Sequence, residues 1–217
     1  MKKTQRLAVS GVLIALAVVL SMVKIFEWPF GGSITLCSMV PVMLAGWFYG
    51  VPWGLLCGLV DGVLQAALGA ATTQAFAGLE FWQTVCMAFL DYLLAFAVLG
   101  CAGFLRKKLQ EKPRLGFALG CAIAGLLRYA VHTLSGALLW GSYAEWFFTQ
   151  EGFYSWGATI LEKFGGTQLA IVYSLIYNGF YMIPETLIAV VAAVALMSVK
   201  PVREAALRDH VQGSTLR

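Results

Sequence analysis

Residues 84–108, TVCMAFLDYLLAFAVLGCAGFLRKK, decide the fold class of this chain. They place one carboxylate, Asp91, inside an apolar run of about 20 residues, which is the length that an α-helix needs to cross a bilayer. An acid at the bilayer centre costs about 2.5 to 3.5 kcal/mol on insertion scales, so such a residue usually has a partner or a ligand. The stretch predicts a membrane-spanning helix and raises the question of what Asp91 binds.

The composition of the whole chain is that of an integral membrane protein. Of its 217 residues, 60% are hydrophobic and 12% are charged, whereas about a quarter of the residues in soluble domains are charged. The cysteines lie inside apolar runs without the paired spacing of a metal site, so we interpret them as small packing residues and predict no disulfide framework. They are Cys37, Cys57, Cys86, Cys101 and Cys121.

The N-terminus begins with lysines and continues with an apolar run, as a secretory signal peptide does. The run is about 20 residues long, and no small-residue cleavage site follows it. We predict that this segment is retained as the first membrane-spanning helix.

Six apolar runs approach the length of a membrane crossing. The predicted spans are residues 7–26, 34–50, 54–71, 84–105, 115–140 and 168–199. The last run contains Pro184, and we predict one kinked helix there because each half would have only about 15 residues. The sequence therefore predicts an all-α integral membrane protein, a compact bundle of six transmembrane helices forming a single membrane domain over residues 1–217.

The distribution of lysine and arginine predicts the orientation of this bundle. With six spans, the N-terminus, the 106–114 loop and the C-terminal tail share one side of the membrane, and they hold 12 of the 15 basic residues. Short cytoplasmic loops retain basic residues, so both termini are predicted to be cytoplasmic. The net charge of +4 is thus a topology signal and gives no reason to infer a nucleic-acid partner.

Polar and aromatic side chains gather at one depth of the outer half of the membrane. At a rise of about 1.5 Å per residue, Asp91 lies about 10 Å below the outer end of the fourth span. His132 and Trp140 lie in the outer part of the fifth span, and Tyr173 and Asn178 in that of the sixth. Singly, these residues have structural alternatives as interhelical hydrogen bonds or an interfacial aromatic belt. Their convergence from three helices predicts a ligand pocket open to the outside.

A buried arginine leaves two ion pairs open. Arg128, Asp91 and Glu185 lie at similar distances from the inner ends of their spans, so either acid is a candidate partner for the arginine. Pairing with Glu185 would free Asp91 for a cation, whereas pairing with Asp91 would orient that acid toward a ligand. The sequence does not choose between them.

Motifs of energised pumps and common enzymes are absent from the sequence. It contains no Gly-rich phosphate loop followed by Lys and Ser or Thr, no HExxH and no GxSxG. Inverted halves of the kind found in secondary carriers are not evident. We therefore predict a non-enzymatic binder without metal or cofactor, energised by other proteins.

The 141–167 connection is long and rich in Trp, Phe, Tyr and Gly. Long loops with apolar content of their own are often functional, for example as lids. Trp and Tyr also form a belt at any membrane surface, and the sequence leaves both interpretations open.

Five segments together resemble a known family of transport proteins. GGSITLCSMVPVML, GLLCGLVDGVLQAALG, FLDYLLAFAVLGCAGFL, LLRYAVHTLSGALLWGSYA and VYSLIYNGFYMIPE are similar, in order and spacing, to the thiamine-specific substrate-binding (S) subunits of bacterial energy-coupling factor transporters. The resemblance implies six helices in the bacterial cell membrane, with thiamine bound near the outer surface. It also implies a transmembrane coupling subunit and two cytoplasmic ATPase subunits as partners.

The resemblance also implies roles for individual residues. Asp91 takes the position of the family's binding-site acid, His132 and Trp140 those of the fifth-helix histidine and aromatic, and Tyr173 and Asn178 those of the sixth-helix tyrosine and asparagine. Some members carry a tryptophan before the second helix, where this chain has glycine near position 32. Trp28 is the nearby candidate for that missing aromatic.

The chemistry of thiamine suits these residues. Its thiazolium ring carries a fixed positive charge that a Trp face attracts by about 2 kcal/mol or more when desolvated. Its aminopyrimidine donates hydrogen bonds that a buried carboxylate accepts.

The competing hypothesis is a self-sufficient proton-coupled carrier of a small cationic or heterocyclic metabolite that uses Asp91, Asp61 and Glu185 as relay sites.

The first span carries a candidate partner surface. Gly11 and Ala15 form a small-xxx-small patch, which lets another helix approach closely. In related S subunits such a patch contacts the coupling subunit, and ordinary internal packing is the alternative.

Overall fold

Helices make up most of the residues that the computed structural model describes, which are residues 3–28 and 32–206. Five helices in this part of the chain are long and apolar enough to cross a membrane, and a sixth apolar helix is shorter. In chain order the helices are α1 (Lys3–Ser21), α2 (Val40–Tyr49, the short one), α3 (Val51–Thr72), α4 (Phe81–Gly103), α5 (Pro113–Leu139), α6 (Ala144–Phe148), α7 (Tyr154–Lys163) and α8 (Gly166–Ser198). The prediction of a helical, multi-pass membrane protein is confirmed.

The first helix is shorter than predicted because the chain turns into a β-hairpin. Helix α1 ends at Ser21, five residues before the predicted end of the first span. Strand β1 (Lys24–Glu27) then pairs antiparallel with strand β2 (Ser33–Thr35). Within residues 3–28 and 32–206 these two strands are the only ones, and β2 occupies the start of the predicted second span.

Helix α2 lies inside the bundle rather than against lipid. Its ten residues rise only about 15 Å, half of a hydrocarbon core of about 30 Å. Residues 40–47 are all buried, and the helix packs among α1, α3, α4 and α5. The apolar core around it contains Met39, Val42, Met43, Trp47, Leu99, Phe117 and Met182.

Glycines bring the backbones of α2, α3 and α4 into contact. A Cβ atom added at Gly54 would lie 2.6 Å from the Cα atom of Gly46 and 2.7 Å from that of Gly100. Only small residues permit helices to approach so closely in a membrane. This packing holds α4, the helix that carries Asp91, against its neighbours.

Helix α4 changes its hydrogen-bonding pattern along its length. Ala88–Leu94 is π-helical, and Val98–Gly103 is a 3₁₀-helix. π-Helical turns are rare and occur frequently at functional sites. Asp91 lies within the π-helical turns.

The long connection between α5 and α8 is folded. It contains α6 and α7, and Phe147 and Phe148 of α6 pack with Leu169 and Tyr173 of α8 in a second apolar cluster. Helix α8 continues through Pro184 as a single helix, as predicted. We call α6 and α7 together the aromatic cap, because they cover one end of α8 with aromatic side chains.

Candidate binding cavity

A cavity of about 600 Å³ lies between the β-hairpin and helices α3, α4, α5 and α8. Its volume is within the range of about 300 to 1,000 Å³ that is usual for small-molecule sites. The residues predicted to bind a ligand all line it, and they are Asp91, His132, Trp140, Tyr173 and Asn178. The structure thus brings together the side chains that the sequence placed at one depth on three helices.

Asp91 has two hydrogen-bond partners on α5. The Nδ1 atom of His132 lies 3.0 Å from Oδ1 of Asp91, and the hydroxyl of Ser135 donates to Oδ2 over 2.7 Å. Ser135 is fully buried, and it was not among the predicted site residues. Its spacing of three residues after His132 places both on the same face of α5, which is the signal that identifies it.

Arg128 pairs with neither of the acids that the sequence left open. Among the described residues, no carboxylate forms an ion pair with it; its Nε–H instead donates to Nε2 of His132 over 3.2 Å. Its guanidinium lies 4.2 Å from the ring centroid of Phe96, a cation–π contact. Because Nε2 of His132 accepts this hydrogen bond, the proton of a neutral imidazole lies on Nδ1, facing Asp91.

Asn178 is held by a network between α5 and α8. Its Nδ2 group lies 2.8 Å from the carbonyl oxygen of Ser174 and 3.2 Å from that of His132. Its Oδ1 atom accepts a hydrogen bond from the hydroxyl of Tyr181. The amide therefore ties the two helices together and fixes the backbone at His132, in addition to lining the cavity.

Aromatic rings form one wall of the cavity. Trp140 lies at the C-terminal end of α5, with its ring centroid 6.2 Å from that of Tyr143. Tyr173 and Tyr177 of α8 also line the cavity, and their ring centroids are 5.7 Å apart. Phe147 of the aromatic cap lies edge-on to Tyr173 at 5.2 Å. The cap thus supports this wall from behind.

Tyr181 occupies the space beside Gly32. A Cβ atom added at Gly32 would lie 2.6 Å from Cε1 of Tyr181, so the tyrosine ring fills the space of a side chain at this position. Trp28 also lines the cavity and stacks on Phe180, with ring centroids 5.2 Å apart and planes 27° apart. Trp28 and Tyr181 are thus the aromatic residues present where the family resemblance left a gap.

Gly11 and Ala15 lie away from the cavity, on the exposed surface of α1. A Cβ atom added at Gly11 would meet no atom within 4 Å. No other helix in the described part of the chain approaches closely at Gly11, so internal packing does not explain this glycine.

Comparison with known proteins gives a consistent picture. A family model described as "Thiamine transporter protein" matches residues 7–160. Thiamine transporter ThiT of Bacillus subtilis is 30% identical over 210 residues, which are 92% of this chain and 94% of that protein. Thiamine transporter ThiT of Lacticaseibacillus paracasei is 26% identical over 172 residues, 76% of this chain and 67% of that protein. A solved structure of ThiT from Listeria monocytogenes has a TM-score of 0.69 and 23% identity, covers 94% of this chain and 98% of its own, and shows a shared fold.

Proposed function

Because this chain belongs to the thiamine transporter protein family, we propose that it is the thiamine-binding S subunit of an energy-coupling factor transporter. It is a transporter rather than an enzyme, and it crosses the membrane several times. The observation that carries the proposal is the cavity, in which an acid, an imidazole and an aromatic wall converge. These are the groups that a cationic heterocycle with a hydrogen-bonding pyrimidine requires.

In this proposal Asp91 accepts a hydrogen bond from the aminopyrimidine of thiamine. His132 and Ser135 hold the carboxylate in place through its two oxygens. A carboxylate oxygen has two acceptor positions, so each oxygen retains one for the ligand. Trp140 provides a face for stacking, and Tyr173 and Asn178 complete the wall on α8.

The energy for transport comes, in this proposal, from a transmembrane coupling subunit and two ATPase subunits. Support comes from the sequence, which contains no phosphate-binding loop of the GxxxxGK[ST] type. The exposed patch at Gly11 and Ala15 is the proposed contact with the coupling subunit.

Uptake into liposomes tests this division of labour. Thiamine uptake is expected only when the chain is reconstituted with its coupling subunit, both ATPase subunits and ATP. Liposomes that contain the chain alone, with a proton gradient imposed, are the control and are expected to take up none. Uptake by the chain alone would contradict the proposal and favour a proton-coupled carrier.

We further propose that the cavity opens to the outside and that both termini are cytoplasmic. The distribution of basic residues supports this orientation. Ser142, after α5, and Lys108, in the loop before α5, are both exposed. In a background without native cysteines, Ser142→Cys is expected to react with a membrane-impermeant maleimide in intact cells, and Lys108→Cys only after permeabilisation. The reverse pattern would overturn the orientation.

A further inference from the structure

The cavity contains a second acid, Glu185, for which neither the family resemblance nor the proposed function gives a role. Glu185 lies on α8, is 5% exposed and lines the cavity. One of its oxygens, Oε1, accepts hydrogen bonds from the backbone N–H of Thr35 and, over 2.7 Å, from the Thr35 hydroxyl. The β-hairpin therefore orients this carboxylate.

The hydrogen bonds around Glu185 leave one oxygen available. The hydroxyls of Thr35 and Ser38 are 2.6 Å apart, so Ser38, Thr35 and Oε1 of Glu185 form a chain. Hydrogen bonds in such a chain polarise one another and stabilise the ionised acceptor at its end. No residue in the described part of the chain donates to Oε2, which remains for a ligand in the cavity.

The charges that line the cavity leave one negative charge unbalanced. Lys24 and Glu27 form an ion pair at 2.5 Å and neutralise each other. Arg128 adds one positive charge to the cavity lining, and Asp91 and Glu185 add one negative charge each. Among the described residues, the cavity thus carries the excess of one negative charge that a ligand with a single fixed positive charge would neutralise.

We propose that Glu185 is the counter-charge for the thiazolium ring of thiamine, while Asp91 binds the aminopyrimidine. This inference rests on the proposed function. A quaternary ring nitrogen has no hydrogen to donate, so it is recognised by charge and by aromatic faces. Asp91 is assigned to the aminopyrimidine, which leaves Glu185 as the second acid of the cavity; it is held on the hairpin side by Thr35, and no described residue donates to its Oε2.

The test compares thiamine with a neutral analogue in which a thiophene ring replaces the thiazolium ring. Glu185→Gln removes the charge but keeps the side-chain length and a carbonyl oxygen for the two donors of Thr35. Calorimetric titration of the purified full chain is expected to show thiamine binding about 10- to 100-fold more weakly in this variant. Binding of the neutral analogue is expected to change less than about threefold.

Asp61→Asn is the matched control. Asp61 is also a buried acid inside the bundle, on α3 at 1% exposure, but it does not line the cavity. Its substitution replaces a buried carboxyl group that lies outside the cavity lining. We expect the affinities for thiamine and for the neutral analogue each to change less than about threefold.

Three results would overturn the counter-charge. One is an equal loss of affinity for both ligands in Glu185→Gln, which would assign Glu185 to packing of the hairpin. Another is unchanged thiamine affinity in that variant. The third result concerns the parent chain: it would bind the neutral analogue as tightly as thiamine. Failure of the parent chain to bind thiamine at all would instead contradict the proposed function.

Discussion

Replacement of Asp91 by asparagine is expected to weaken thiamine binding by roughly ten- to more than a hundredfold, with the fold intact. The carboxylate receives hydrogen bonds from His132 and Ser135 and, in our proposal, one more from the aminopyrimidine. Asparagine has one acceptor oxygen, and its NH₂ group would face one of these donors. The loss of a charge-assisted hydrogen bond costs about 1.5 to 3 kcal/mol, which corresponds to this range of affinities.

Calorimetry on the purified variant is the measurement, because it does not depend on the fluorescence of Trp140. Asp91→Glu is the matched control; it keeps the charge and is expected to bind better than Asp91→Asn. An Asp91→Asn chain that folds normally and binds thiamine as tightly as the parent would show that Asp91 is a structural partner of α5. The proposed site would then be wrong at its centre.

Leucine at position 11 or 15 is expected to abolish thiamine uptake and to leave thiamine binding within about threefold of the parent. Both positions are exposed on α1, and a side chain at Gly11 would meet no atom of the described chain within 4 Å. The isolated subunit therefore accommodates leucine there. In our proposal a helix of the coupling subunit packs against this small-xxx-small patch, and leucine would prevent the close backbone approach that such packing needs.

Uptake by the reconstituted complex and binding by the purified subunit separate the two effects. Val12→Leu is the matched control, since Val12 is also exposed on α1 but lies about 100° around the helix from Gly11. Its uptake is expected to equal that of the parent. Loss of binding together with uptake in Gly11→Leu would point to internal packing and contradict the partner surface.

The sequence predicted three of the helices that line the cavity, α4, α5 and α8, but not the contribution of α3 or of the β-hairpin. Helical rise is regular, so the depth of Asp91, His132 and Asn178 follows from counting residues along apolar spans. Each of these side chains lines the cavity in the structure. The same helical geometry places Ser135, three residues after His132, on the face of α5 that carries His132. The sequence-based prediction did not include Ser135.

The β-hairpin could not be predicted by counting apolar residues. Lys24–Glu27 and Ser33–Thr35 are short, and their apolar side chains continue the hydrophobic runs of the neighbouring helices. The available signal was local: Ile25, Phe26 and Ile34 favour strands, and a proline and two glycines separate the two segments. Helix α2 is shorter than its predicted span because other helices enclose it. A helix enclosed in this way need not match the bilayer thickness.

The contacts of Arg128 could not all be predicted from the sequence. An arginine side chain is long and flexible, so equal depth on neighbouring helices does not determine which group it contacts. In the structure it contacts His132 on its own helix and the ring of Phe96. The four-residue spacing from Arg128 to His132 is visible in the sequence, whereas the contact with Phe96 depends on how α4 packs against α5.

A structure of the chain with thiamine bound tests the central claim most directly. We predict that thiamine occupies the cavity of about 600 Å³. Its aminopyrimidine is expected within hydrogen-bond distance of Asp91 and stacked on Trp140, with the thiazolium ring on the side of Glu185. Thiamine bound elsewhere on the chain, or in the cavity without a contact to Asp91, would contradict the account.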